Sequence, residues 1–130
     1  MPLNRQKFVS KFQQVIPLTQ YQASIHGGYE YLTVNFGKSF DQEKLAFVSL
    51  AFPPLEGEHA SKYALLISLF WVCILPDKSP ADEYITRSTD ALKKTGSYLE
   101  EFGDVRVTLS KLGGMFSLRA ETVVAESKTT

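Results

Sequence analysis

The stretch Tyr63-Ala-Leu-Leu-Ile-Ser-Leu-Phe-Trp-Val-Cys-Ile-Leu75 decides how this chain folds, and Ser68 is the one polar interruption in it. Apolar side chains are driven out of water, so a run of this kind has to be buried. The segments on either side must therefore supply the surfaces that cover it.

Periodicity cannot separate a helix from a strand when the apolar positions are continuous. Ile67 and Trp71 are typical strand residues. Pro76 follows directly and forces extended backbone on the residue before it. These features predict a central strand over most of the run, with a helix over 60–70 as the alternative.

The segment before the run begins with a predicted helix. Phe8, Phe12 and Ile16 lie on one stripe of it, Asn4 can cap it, and Pro17 ends it. This amphipathic stripe is typical of a helix packed on a sheet.

Three strands are predicted next. Alternation over 21–25, a Gly27-Gly28 turn and renewed alternation over 29–36 are typical of a hairpin. The segment 44–52 has few polar positions on either face, which indicates a central strand. Proline cannot donate to a strand ladder, so Pro53 closes it.

After the run, Ser79 and Pro80 are typical of the start of a helix. An apolar stripe that includes Ser88 continues to Phe102, with Gly96 as a weak point and Gly103 as the terminating glycine. Alternation over 104–112, a Gly113-Gly114 turn and alternation from Phe116 then predict a second hairpin. These last two strands complete the predicted set of elements.

The predicted architecture is a two-layer α+β domain with a mainly antiparallel sheet of about six strands and two helices, in the order α-β-β-β-β-α-β-β. Two helices cover one sheet face only. Because the third strand and the run are apolar on both sides, the second face is expected to expose an apolar surface, which marks an interaction site. The domain is expected to span 1–125, followed by a flexible tail at 126–130.

Composition disfavours several classes of partner without excluding nucleic acid. Fourteen basic residues balance fourteen acidic ones, so charge favours neither nucleic acid nor an anionic membrane. The first residues lack a secretory-signal pattern, and the apolar run is shorter than the about 20 residues of a membrane span. The single cysteine, Cys73, permits no intrachain disulfide. We expect a cytoplasmic protein, or a virion component if it is a phage or virus subunit.

No catalytic, metal or cofactor motif is evident. His59 follows Glu56 and Glu58 in a charged loop, but that spacing matches no established metal-ligand pattern. Both Gly-Gly pairs lie between predicted strands, whereas a phosphate-binding glycine loop must open a helix. No cofactor is expected, and an enzyme is the less favoured interpretation.

Two resemblances concern the order of elements. The run, the Pro76 turn and the helix after Ser79 resemble the end of the coat proteins of RNA bacteriophages, in which paired helices of a dimer cover a sheet. The alternation of helix, meander, helix and hairpin resembles small secretion-type chaperones, although their closing helix is missing here. Both resemblances imply self-association.

The leading hypothesis is a non-catalytic, self-associating protein that forms a homodimer or larger assembly. It would be an assembly or structural subunit, such as a phage or virus coat or tail component, or a small adaptor or chaperone, with the apolar sheet face or an edge strand as its interface. The alternative is a small-ligand-binding protein or enzyme with a pocket between sheet and helices. The candidate interface or pocket residues are Tyr21, Tyr29, Tyr31, Trp71 and His26.

Overall fold

The computed structural model describes residues 3–21, 24–29, 31–37, 44–54, 60–75 and 81–123. Its helices are α1 (Arg5–Gln13), α2 (Ala60–Ile74) and α3 (Ala81–Thr95). Its strands are β1 (Leu3–Asn4), β2 (Leu18–Tyr21), β3 (Ser24–Tyr29), β4 (Leu32–Phe36), β5 (Lys44–Leu45), β6 (Phe47–Phe52), β7 (Ser97–Phe102), β8 (Val105–Leu112) and β9 (Met115–Thr122).

Seven strands form one antiparallel sheet in the order β2-β3-β4-β6-β9-β8-β7, and the short strands β1 and β5 pair separately. The predicted α+β class with an antiparallel sheet is confirmed. The prediction of six strands and two helices is one too low for the main sheet and one too low for the helices. One predicted strand is the helix α2, and the sheet contains two strands that were not predicted.

The main correction concerns the apolar run, which is a helix and not a strand. Helix α2 lies between α1 and α3, and the Trp71 ring contacts Tyr98 and Phe102 on β7. Its buried side chains are Tyr63, Leu66, Ile67, Phe70, Trp71, Cys73 and Ile74. A helix covered on several sides is apolar around most of its circumference and loses the amphipathic pattern. The alternative helix is therefore correct in type, and it extends to Ile74.

Helix α3 is shorter than predicted. It ends at Thr95, where Gly96 adopts a φ of 90° and its N–H donates to the Leu92 carbonyl at 2.9 Å. Only glycine adopts this left-handed conformation readily, so the predicted weak point is the helix terminus. The residues that follow form β7, and Gly103, at a φ of 62°, lies in the turn between β7 and β8. The predicted cap at Ser79 and Pro80 lies outside the described residues.

The two Gly-Gly pairs have different roles. Gly113 has a φ of 61° in the turn that joins β8 to β9, which confirms the second hairpin. Gly27 and Gly28 instead lie within β3, so the predicted turn there is wrong. A Cβ on Gly27 would lie 2.6 Å from Leu18 Cδ2 and 2.8 Å from the Pro17 carbonyl oxygen. Glycine is present at this position because another segment approaches closely.

The boundaries of the early elements also shift. Asn4 caps α1 as predicted, since its Oδ1 accepts from the Lys7 N–H at 2.9 Å, but α1 ends at Gln13, well before Pro17. The predicted third strand is interrupted at Ala46, which separates β5 from β6.

The core lies between the helices and one sheet face. One row of that face runs through five strands and consists of buried side chains: Val34, Leu50, Leu118, Leu109 and Tyr98. On the opposite face, the row Asn35, Ser49, Arg119 and Thr108 is half-buried and polar. The expectation of an apolar second face is therefore wrong for these strands, because it depended on placing the apolar run in the sheet.

None of the helices in the described ranges has the length and apolar character needed to cross a membrane.

Candidate functional site

A pocket of about 380 Å³ lies between α2, α3 and the sheet. Helices contribute Ile67, Trp71, Ile85, Ser88, Thr89, Leu92 and Lys93, and the strands with the residues after β6 contribute Phe52, Pro54, Leu109, Phe116 and Leu118. Small-molecule sites in proteins span roughly 300–1,000 Å³ and are mostly apolar with a few polar groups. This pocket has that size and character.

The shape of the pocket follows from side-chain sizes on its walls. On the sheet side, Phe116 stacks on Phe52 with ring centroids 5.7 Å apart. On the helix side, Ser88 is buried in the α3 stripe between Ile85 and Leu92. A serine in this position leaves unfilled the volume that a large apolar residue would occupy.

Trp71 forms one wall of the pocket and is fully buried. Its ring stacks on Tyr84 at 5.6 Å and meets Phe70, Tyr98 and Phe102 edge-on at 5.7–6.3 Å. Among the described residues, the indole Nε1 nevertheless has no hydrogen-bond partner. A buried donor without an acceptor costs about 1–3 kcal/mol.

The other polar groups of the pocket lie on α3. The hydroxyls of Ser88 and Thr89 donate to the Ile85 carbonyl at 3.0 and 2.7 Å, so their oxygens keep lone pairs that can accept. Lys93 is the one charged lining residue and is exposed. Across the described segments, no carboxylate lies within ion-pair distance of it.

A polar network beside the pocket joins α3 to β7. Tyr98 Oη donates to Glu100 Oε1 at 2.6 Å, and burial followed by the Glu100 carboxylate raises the pKa of Tyr98. The Arg87 guanidinium binds both Glu100 oxygens at 3.0 and 3.2 Å, reaches Glu83 at 2.9 Å and lies 4.5 Å from the Tyr84 ring centroid. This network joins α3, which supplies five of the lining residues, to β7, which supplies none.

The structure does not bring the five predicted site residues together. Trp71 lines the pocket, whereas Tyr31 is 72% exposed in the turn before β4. Tyr21 lies on β2, and His26 and Tyr29 lie on β3, at one edge of the sheet, while the pocket lies over β6, β9 and β8. The side chains of these three lie outside the described part of the chain.

Sequence reasoning missed the rest of the lining because it placed α2 in the sheet, where no gap beneath two helices exists. Ser88 was the available signal, since a small polar residue interrupts an otherwise apolar helix stripe. Such an interruption indicates either a satisfied core hydroxyl or the wall of a pocket, and here both descriptions apply.

Other chemistry is sparse in the described ranges. Within them, no group of three or more His, Cys, Asp and Glu side chains is arranged to hold a metal ion. Cys73 is buried, and that burial raises the pKa of its thiol to about 11 despite the nearby Lys7 and Lys11. A thiol in this state is a poor nucleophile at neutral pH.

Comparison with known proteins does not assign the chain to a family. No family model matches the chain, and no curated protein and no solved structure is significantly similar to it. The resemblance to phage coat proteins depended on a long strand before the Pro76 turn, and that segment is α2. Function is therefore inferred from the pocket.

Proposed function

We propose that this protein binds a small, largely apolar ligand in the pocket beneath α2 and α3. The observation that carries this proposal is a pocket of about 380 Å³ lined mostly by apolar side chains, with the hydroxyl-bearing Ser88 and Thr89 among its lining residues. Burial of apolar ligand surface supplies the affinity, at roughly 25 cal/mol per Å² before the costs of association.

The described sheet face opposite the helices supports this proposal over an apolar docking sheet. Arg119 stacks on the Phe47 ring at 4.1 Å and binds Glu121 at 3.1 Å, so charge lies across the middle of that face. Polar and charged side chains across the middle of this face differ from the apolar surface that a docking sheet would present.

The experiment uses Trp71, the one tryptophan in the chain, as a reporter of the pocket. Decan-1-ol is titrated while tryptophan emission and binding heat are followed. Saturable binding is expected for the native protein and its loss for Ser88→Leu, since leucine fills the gap.

Ser10→Leu is the matched control. Ser10 also donates to a carbonyl one turn back, that of Lys7 at 3.4 Å, but it is exposed on α1 and away from the pocket. The Ser10→Leu variant should bind decan-1-ol as the native protein does. Equal binding by Ser88→Leu would contradict the proposal.

Self-association is a second candidate function, as in an assembly subunit or adaptor. The observation that favours it is on the outward face of α2, where Leu65 is 46% and Val72 is 41% exposed. Two helical turns separate them, so they lie on one side of the helix. Leu99 on the edge strand β7, 62% exposed, is a further apolar contact point.

Light scattering after size exclusion at micromolar concentration tests this second function. Oligomers that dissociate in the double variant Leu65→Glu, Val72→Glu would support it. The control Thr33→Glu, Thr86→Glu adds the same charge at exposed positions elsewhere and should leave the oligomers intact. A native protein that is monomeric across the range contradicts self-association.

A further inference from the structure

Two lysines from different elements adjoin the pocket where it meets solvent. Lys93 on α3 lines the pocket and is exposed, so its ammonium group lies at the mouth. Lys111 on β8 is also exposed, and its Nζ lies 5.8 Å from the ring centroid of Phe116, which is another lining residue. The apolar cavity therefore has positive charge beside its opening.

The sheet register explains how Lys111 comes to lie beside the pocket. Lys111 pairs with Phe116 on β9, and Leu109 pairs with Leu118. Side chains alternate between the two faces of a strand, so residues two apart lie on the same face. Because Leu109 lines the pocket, Lys111 lies on the helix-facing side of the sheet and not on the polar face opposite.

The described part of the chain does not neutralise these two charges. Among its residues, no carboxylate lies within ion-pair distance of either lysine. Glu83 and Glu100 bind Arg87 instead, and Asp90, one turn before Lys93 on α3, forms no ion pair with it. Positive charge beside an apolar cavity is complementary to an anionic group on an apolar ligand.

The size of the pocket limits the apolar body of that ligand. A cavity of about 150 Å³ holds one benzene molecule, so by proportion about 15 non-hydrogen atoms fit in 380 Å³. The walls are apolar side chains such as Ile67, Leu92 and Leu118, and each CH₂ group buried against them adds to the affinity. A charged head group at the exposed mouth keeps its hydration, so it avoids the cost of burying an ion.

We propose that the ligand is a single-chain organic anion, such as a medium-chain carboxylate. Its apolar body fills the pocket, and its charged head group lies at the mouth beside Lys93 and Lys111. Each ammonium group is a hydrated point charge on a flexible stem, so it attracts the anion without removing it from water. This ligand class rests on the proposed function, because it specifies what the same pocket binds.

Calorimetric titration with decanoate, decan-1-ol and decylammonium tests the charge of the head group. The three probes share one hydrocarbon chain, so the ratios of their affinities report the charge at the mouth. Decanoate should bind tightest to the native protein and decylammonium weakest. The preference for decanoate over decan-1-ol should shrink in about 1 M sodium chloride, because salt screens exposed charges.

Lys93→Met and Lys111→Met test the two lysines while keeping most of each apolar stem. Each should lower the ratio of decanoate affinity to decan-1-ol affinity about twofold to fivefold, as expected for a partly exposed charge pair. Because the ratio is taken within one variant, a change in packing affects both ligands alike. The control Lys11→Met, Lys94→Met removes two exposed positive charges outside the lining and should keep the native ratio.

The outcomes separate this inference from the proposed function. Equal binding of decanoate and decylammonium, or a ratio that either lysine substitution leaves unchanged, overturns the ligand class, whereas saturable binding of decan-1-ol keeps the proposed pocket intact. Failure of every probe, decan-1-ol included, overturns both.

Discussion

At the scale of single residues, Gly27 shows how a strand position can depend on the absence of a side chain. A Cβ there would meet the Leu18 side chain and the Pro17 carbonyl oxygen, both closer than 3 Å. The leucine can rotate away, but the backbone oxygen moves only if the chain between α1 and β2 shifts. Gly27→Ala is therefore expected to lower the free energy of unfolding by about 1–3 kcal/mol, as overpacking does, measured by urea denaturation.

Gly114→Ala is the control for that substitution. A Cβ at Gly114 would have no atom within 4 Å, and its φ lies outside the left-handed region. Replacing glycine at such a site is neutral or stabilises by about 0.4–1 kcal/mol through the unfolded chain. Equal losses at the two glycines would show that close packing at Gly27 is not the cause.

Cys73 gives a prediction about pH. Burial raises the pKa of its thiol to about 11, above the value of about 8.5 in an unfolded chain. The folded state therefore favours the protonated thiol, so its contribution to stability is complete below about pH 8.5 and is lost as the pH rises to about 11.

Comparison of the native protein with Cys73→Ala isolates this effect, because other titrating groups are common to both. Their difference in free energy of unfolding, measured in urea, should change by up to about 3 kcal/mol between pH 8.5 and 11. A difference that is constant over that range would show that Cys73 does not titrate in this way.

At the scale of elements, most of the secondary structure followed from local patterns. The N-cap of α1 at Asn4 and the hairpin at Gly113-Gly114 were predicted because their signals lie within a few residues of each other. Periodicity could not show whether the α2 segment is a helix or a strand, because burial on several sides removes the amphipathic pattern. The length of the run was the better guide, since strands are usually 4–8 residues and helices longer.

The same error explains why so little of the pocket was predicted. Trp71 is predicted from its place as an aromatic in an apolar run, and it lines the pocket as part of α2 and not of a strand. Its neighbours Ser88, Phe52 and Phe116 come together only through the packing of α2 and α3 on the sheet. Contacts between segments this distant in sequence have no local signal.

The hydrogen bond between Tyr98 and Glu100 lies within β7, beside the Arg87–Glu100 ion pair that joins α3 to β7, and it can be tested by substitution. Tyr98→Phe keeps the ring that contacts Trp71 and removes the hydroxyl that donates to Glu100. Loss of a hydrogen bond to a charged acceptor should lower the free energy of unfolding by about 1–2 kcal/mol. Tyr31→Phe, at a 72% exposed side chain, should change it by less than about 0.5 kcal/mol. Similar effects of the two substitutions would show that the hydrogen bond from Tyr98 to Glu100 does not contribute to stability.

At the scale of the whole molecule, a three-helix layer covers one sheet face and leaves a polar face opposite. In the described part of the chain, Leu99 is exposed on the edge strand β7, and two larger apolar features are the pocket beneath α2 and α3 and the outward stripe at Leu65 and Val72. Both involve α2, because a helix this apolar exceeds what one core can bury. An apolar ligand could bind at either place, and thermodynamic linkage distinguishes them.

A ligand that binds only the folded state stabilises it by about 2.7 kcal/mol at a free concentration of 100 times Kd. Decan-1-ol at that level should raise the Tm of the native protein by several degrees. The rise should disappear in Ser88→Leu, where the pocket is filled, and persist in Leu65→Glu, Val72→Glu, where only the outer stripe is changed. The reverse pattern would place the alcohol on the outer face of α2, and the pocket would then not be the binding site.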